Sequence, residues 1–179
     1  MYERTATKNK DCGFDFTEWA KGRNVWLSSN VYFMNKKVPE CAFDEFHPIE
    51  ALRKRISERL KACGPDVVGV HIRRTDNMRS VKESPTEAFI ELMRKEPETT
   101  KFYLATDDES EKSRLKAEFP GRIITQSEKA ERGSVNGMQD ALVEMYTLAG
   151  CRKIYGSCNS TFSETAAIVG KIPLVVVRR

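Results

Sequence analysis

The stretch Asp66-Val67-Val68-Gly69-Val70-His71-Ile72-Arg73-Arg74-Thr75-Asp76-Asn77 changes character at its midpoint. Val67 to Ile72 is a β-branched run, the pattern of a parallel strand buried on both faces, and Gly64-Pro65 bounds it upstream. Beyond Ile72 come two guanidinium groups, a hydroxyl, a carboxylate and an amide, all on the turn where that strand ends. Open α/β sheets bind ligands at the carboxyl ends of their strands. Arg73 and Arg74 therefore point to an anion. A solvated loop salt-bridged to Asp76 is the plainer alternative, but an arginine directly after a buried strand is costly unless it has a partner.

Outward from this stretch, strand and helix alternate. The pattern predicts strands at Val67–Ile72, Lys101–Ala105, Arg122–Thr125, Lys153–Tyr155 and Leu174–Val177. It predicts helices near Pro85–Lys95, Glu109–Glu118, Gly137–Ala149 and Phe162–Gly170. Ser84-Pro85 reads as an N-cap followed by an N1 proline, and Thr106 to Glu109 and Thr161 to Glu164 as capping boxes. Pro120-Gly121 and Gly170 mark helix ends. Upstream, His47-Pro48 opens a helix to about Ala62 with Ile49, Leu52, Ile56 and Leu60 on its apolar face. Three consecutive helical residues spread over about 200°, so Arg53-Lys54-Arg55 reads as a solvated face. Val25 to Phe33 reads as a strand or extended segment. Short connections with a helix in each crossover predict a doubly wound, Rossmann-like parallel sheet of about five strands, ordered 3-2-1-4-5.

Composition narrows the functional classes. A chain of 179 residues with 40% hydrophobic and 31% charged content has the material for one globular core. Its net charge of +4 is mild and evenly spread, which argues against a nucleic-acid footprint. No apolar run approaches the length of a membrane span, and Met1 to Lys10 carries no signal-peptide core. Five scattered cysteines, Cys12, Cys41, Cys63, Cys151 and Cys158, include no CxxC pair. They read as reduced packing thiols, and the expected localisation is cytoplasmic.

The predicted strand order makes strands 1 and 4 neighbours and opens a crevice at their carboxyl ends. One wall is His71 to Asn77; the other is Gly156-Ser157-Cys158-Asn159-Ser160-Thr161-Phe162-Ser163, rich in small polar side chains and running into a helix start. Free N–H groups at such a start bind anions. Arginines on one side and this helix start on the other describe a phosphate or diphosphate pocket. Neither GxxxxGK[ST] nor a GxGxxG after the first strand is present, which disfavours a P-loop and a dinucleotide site. His47 and His71 form no cluster with nearby cysteines, and Asp107-Asp108-Glu109 reads as an acidic helix start before it reads as a metal site. Asn159-Ser160-Thr161 is formally a glycosylation sequon, but a glycan there would block the pocket.

His71-Ile72-Arg73-Arg74-Thr75-Asp76 resembles the HxRRxD motif of the GDP-fucose-dependent fucosyltransferases, the α1,2-, α1,6- and protein O-fucosyltransferase superfamily. Tyr103 to Asp108 resembles their second motif, and Asp140 together with Asn159 to Ala167 their third. The resemblance implies the C-terminal, donor-binding half of a GT-B glycosyltransferase, inverting and metal-independent, with GDP-fucose as donor and no other cofactor. It implies that Arg73 holds the β-phosphate, that His71 and Asp140 contact the guanine and ribose side, and that Ser160, Thr161 and Phe162 line the diphosphate and base pocket. It implies further that Asp107 reaches the ribose, whereas Arg74 is expected to organise the loop rather than touch the diphosphate. Asp76 and Glu83 are the candidates to take the acceptor's proton. Family enzymes place an acceptor domain first. Residues 1–40 predict only an arm or a remnant of one, and residues 41–179 the Rossmann-like domain.

Two functional readings follow. One is a fucosyltransferase-like enzyme, or its donor half, passing fucose to a glycan or other hydroxyl acceptor. The other is a silent nucleotide-sugar-binding module whose acceptor side comes from a partner chain or a second copy. A generic flavodoxin-like binding domain requires the three-motif resemblance to be chance.

Overall fold

The computed structural model describes residues 21–22, 43–126 and 133–179. The chain divides into two compact units, Met1–Pro39 and Glu40–Arg179, and the fold below is that of the second. The expected extended segment at Val25 to Phe33, nearly all of the arm at residues 1–40, and Cys12 and Cys41 lie outside the described residues.

The element order is α1 (Glu50–Cys63), β1 (Val68–Ile72), α2 (Met78–Glu83), α3 (Thr86–Arg94), β2 (Phe102–Thr106), α4 (Glu109–Glu118), β3 (Ile123–Thr125), α5 (Val135–Ala149), β4 (Ile154–Ser157), α6 (Thr161–Gly170) and β5 (Leu174–Val177). The five strands form one parallel sheet in the order β3-β2-β1-β4-β5. Every residue of β1 and β2 is buried, which explains their unbroken apolar runs. Alternation divides them between two cores. Val68, Val70, Ile72, Phe102 and Leu104 pack with Phe89 and Met93 of α3 and Leu115 of α4. Tyr103, Ala105 and Ile154 pack with Leu148 of α5, Ala166 and Ala167 of α6, and Cys63 and Cys151. Each fully buried aliphatic side chain contributes about 1.5–3 kcal/mol.

The helix ends differ from the sequence expectation in informative ways. Pro85 occupies the N-cap position of α3, one residue before N1. Asp108 caps α4 by accepting from the Ser110 N–H, and Ser160 precedes α6 without any side-chain cap bond. Neither proposed capping box forms: the N-cap of α4 is Asp108, two residues after Thr106, and that of α6 is Ser160, one residue before Thr161. The helix α2 has no counterpart in the sequence reading. Gly170 is the last residue of α6 rather than its cap, and Lys171 takes the left-handed conformation with φ 51°. Gly170 is demanded by packing: a Cβ there would lie 2.1 Å from the Ala149 carbonyl oxygen at the end of α5.

Gly156 does the same for the other crossing that positions the crevice. A Cβ at Gly156 would lie 2.6 Å from Ser163 Oγ and 2.9 Å from Leu174, so its absence lets the first turn of α6 rest directly on β4. Gly156→Ala is expected to cost ~1–3 kcal/mol through overpacking and to lower Tm by about 2–12 °C. Thermal unfolding of the variant checks this. An unchanged Tm would mean that α6 stands further from the sheet.

Candidate functional site

The turn after β1 is held before any ligand arrives. The Arg73 N–H donates to Ser157 Oγ at the end of β4 (3.0 Å), and the Arg74 N–H donates to Asp107 Oδ1 after β2 (2.8 Å). The Thr75 hydroxyl and N–H both donate to Asp107 Oδ2, at 2.6 and 3.4 Å. Burial raises the Asp107 carboxyl, but these donors and the Arg73 charge outweigh it and hold it below the usual carboxylate range. Asp107 therefore serves the loop: both of its oxygens are engaged there.

The two arginines part company at this turn. Arg74 is 9% exposed at its side chain and donates to Glu111 Oε1 (2.9 Å) and Thr86 Oγ1 (2.9 Å), with Thr86 donating to the same Glu111 oxygen. It joins the starts of α3 and α4. Arg73 is 29% exposed and forks onto Asp76, Nε to Oδ1 and Nη2 to Oδ2, both at 2.7 Å, with Asp107 Oδ2 3.8 Å from Nε.

His71, buried on the last turn of β1, stacks on Phe162 with ring centroids 4.9 Å apart, and Ser160 Oγ lies 3.4 Å from its Nδ1. Burial and the Arg73 charge push its pKa down to about 4, with Asp107 pulling the other way. The imidazole is therefore neutral at pH 7 and forms an aromatic wall beside the start of α6. The first N–H groups of that helix lack intrahelical acceptors, as in any α-helix. Thr161 and Phe162 open this turn after β4, the strand that pairs with β1 in the sheet.

The short helix α2 joins the two walls. Asn77 caps it through Ser80 N–H and donates from Nδ2 to the Asn159 carbonyl (3.0 Å). The Ser80 hydroxyl donates to the Cys158 carbonyl, and Ser84 Oγ accepts from the Cys158 N–H (2.8 Å) while donating to the Val177 carbonyl (2.7 Å). The Glu83 carboxylate accepts from Arg79 and from the Cys158 thiol, which hold it below the usual range.

Asp140 lies on α5, where Arg55 of α1 donates to its Oδ1. Arg53 stays exposed with Glu50, but Arg55 and Arg59 turn inward, so the basic triplet is only partly a solvated face. Arg59 donates to Gln126 Oε1 (2.8 Å) and Tyr103 Oη (3.2 Å). Facing this group is Glu144, one turn beyond Asp140. Glu144, Glu111 and Arg59 escaped the sequence reading, and Arg55 is read there as solvated rather than paired with Asp140; the i,i+4 spacing of Arg55/Arg59 and Asp140/Glu144 is the one signal that points to Arg59 and Glu144. Among the described residues, no three His, Cys, Asp or Glu side chains group as metal ligands, and no helix is long and apolar enough to cross a membrane.

No protein-family model and no curated protein matches the sequence. Solved structures do match. The NodZ α-1,6-fucosyltransferase soaked with GDP-fucose superposes with a TM-score of 0.60 at 21% identity, over 78% of this chain and 49% of that one. NodZ from Bradyrhizobium matches with a TM-score of 0.54 at 24% identity, over 72% and 44%. POFUT1 in complex with GDP matches with a TM-score of 0.53 at 10% identity, over 72% and 46%. The five-stranded parallel α/β fold is thus shared with these fucosyltransferases, and the chain spans about half their length.

Burial pushes the Glu144 carboxyl up to about 7, against the pull of Lys112 and Arg59 and with the push of Asp140 and Asp107. Between its ordinary 4.5 and about 7 the folded chain holds a proton that the unfolded chain has released. This group's contribution to stability therefore declines as pH rises through that window and is flat above it. Glu144→Gln is expected to raise Tm more at pH 8 than at pH 5. Thermal unfolding at both pH values checks it, and an equal effect at both would contradict the raised carboxyl.

Proposed function

We propose that this chain binds GDP-fucose and forms the donor half of an inverting, fucosyltransferase-like glycosyltransferase of the GT-B kind. One observation carries the reading: Arg73 at the end of β1 stands opposite the uncapped start of α6 at the end of β4, and those strands are neighbours in the sheet. This is where an open α/β sheet takes a ligand, and the pairing suits a diphosphate. A guanidinium fork meets two phosphate oxygens at once, and the helix N–H groups add fixed dipoles.

In this reading Arg73 holds the β-phosphate. The backbone N–H groups of Thr161 and Phe162 and the Ser160 hydroxyl face the diphosphate, and the His71–Phe162 pair forms the wall for the base and ribose. Asp140, oriented by Arg55, accepts from the guanine N1 and N2 donors. Arg74 and Asp107 act through the loop they hold. As an acceptor hydroxyl attacks the anomeric carbon, the bond to the β-phosphate oxygen breaks and its electron pair leaves with GDP. Arg73 and the helix dipoles stabilise that growing charge, so no metal ion is required. The hydroxyl proton passes to a carboxylate. Asp76 is the better candidate: it is paired with Arg73, the residue assigned to the leaving group, whereas Glu83 is held by Arg79 and Cys158 on α2.

The relatives' solved complexes with GDP and GDP-fucose support the donor class. Because the chain spans half their length, the acceptor side is open. A silent module completed by a partner chain or a second copy is the second reading, and transfer to a hydroxyl acceptor by the isolated chain would exclude it. Cys63, Cys151 and Cys158 are buried free thiols, which suits a cytoplasmic setting.

Calorimetry with GDP, UDP and ADP, with and without EDTA, tests the reading together with two variants. GDP is expected to bind in the micromolar range, ahead of the others and unaffected by EDTA. Arg73→Ala should lose a charge-assisted bidentate contact, about 30- to 800-fold in affinity for a loss of ~2–4 kcal/mol, with Tm nearly unchanged. Arg74→Ala should do the reverse, since it strands Glu111 in the interior at a cost of ~3–5 kcal/mol. Equal affinity for UDP would remove the base assignment, and the opposite variant pattern would remove Arg73 from the diphosphate.

A further inference from the structure

The guanidinium that the donor would need already carries an anion. Arg73 and Asp76 meet fork to fork through two parallel bonds of 2.7 Å, the same arrangement in which a guanidinium takes two phosphate oxygens. The pair lies at the solvent margin of the crevice, with side chains 29% and 46% exposed, so breaking it is cheap. A diphosphate offers Arg73 more negative charge than one carboxylate does.

Both neighbours of Asp76 are tied down. The Thr75 hydroxyl and N–H donate to Asp107, the Asn77 side-chain amide donates to the Asn159 carbonyl, and the Asn77 carbonyl accepts from the Val81 N–H. Exchange of one anion for the other thus needs only side-chain rotation, without movement of the loop. Asn77 also caps α2, which closes the other wall, so the seat keeps its shape while its occupant changes.

We propose that Asp76 is a built-in stand-in for the donor diphosphate: it occupies Arg73 in the free protein, is displaced when the donor binds, and only then becomes available to an acceptor hydroxyl. This inference rests on the donor-binding reading above and adds an order to it. The donor enters first, and the carboxylate that takes the proton is released by the same event that seats the leaving group. An acceptor arriving early meets a carboxylate that is already paired.

The test is a double-mutant cycle on the full chain, with GDP as the probe and calorimetry as the readout, for wild type, Asp76→Asn, Arg73→Ala and the double variant. Asp76→Asn is expected to bind GDP about two- to fivefold more tightly than wild type, the range an exposed ion pair supplies, and to give no gain in the Arg73→Ala background. A weaker or unchanged affinity would show that Asp76 positions Arg73 on the donor and would overturn the exchange. A gain of equal size in both backgrounds would reduce it to general charge repulsion and overturn it as well. Binding to Asp76→Asn but not to wild type supports it; absence of binding in all four variants overturns the donor-binding reading and this inference with it. A readout on the wild-type chain guards against a misfolded variant. The Asp76 carboxyl 13C resonance should move as GDP saturates the site, and a resonance unmoved at saturation would contradict release.

Discussion

The Asp107 carboxylate is the constraint on which the site depends. It takes the Arg74 N–H on one oxygen and both donors of Thr75 on the other, so the end of β2 dictates the path of the chain leaving β1. Ser157 does the same from β4 by accepting from the Arg73 N–H. Three neighbouring strands thus fix one turn, and the turn decides where each arginine goes. Arg74 is drawn into the interior against Glu111, and Arg73 stays at the margin. A second basic side chain becomes a brace for the first.

Rigidity on this scale has a chemical use. The proposed stabilisation of a leaving diphosphate requires dipoles and cations in place beforehand, because reorganising them during the reaction would consume the gain. Here the backbone of one wall is tied to Asp107 and Ser157, and the other wall is tied through Ser80, Ser84 and Asn77 of the α2 segment to Cys158 and Asn159. His71, kept neutral by burial, fills the space between them with an aromatic surface rather than a competing charge. The Arg73 side chain is left at the solvent margin, with Asp76 as its partner.

Much of this was legible in the sequence. Apolar runs and their spacing place the ends of the five strands to within two residues, and the crossover rules yield the observed order β3-β2-β1-β4-β5. The opposite facing of successive strand residues separates Arg73 from Arg74. What escaped were features held by tertiary partners. The helix α2 is six residues long, too short to show a period, and its bonds run to residues about 80 positions away. Glu111 and Glu144 look like ordinary surface acids on their helices; burial against Arg74, and opposite Arg59 and Lys112, is a property of the folded sheet. Gly170 reads as a stop signal, yet it is required because α5 passes over it. Thr106 and Thr161 have the spacing of capping boxes, while the helices begin after Asp108 and Ser160 instead.

The central claim, a diphosphate seat between Arg73 and the start of α6, is tested most directly by a crystal structure of the chain bound to GDP. The β-phosphate should lie within hydrogen-bond distance of the Arg73 guanidinium and of the N–H groups at Thr161 and Phe162, with the base side toward His71 and Phe162. A diphosphate bound elsewhere, for instance in the groove that Pro48, Ile56, Leu60 and Tyr146 line near the amino end of β1, would contradict the account.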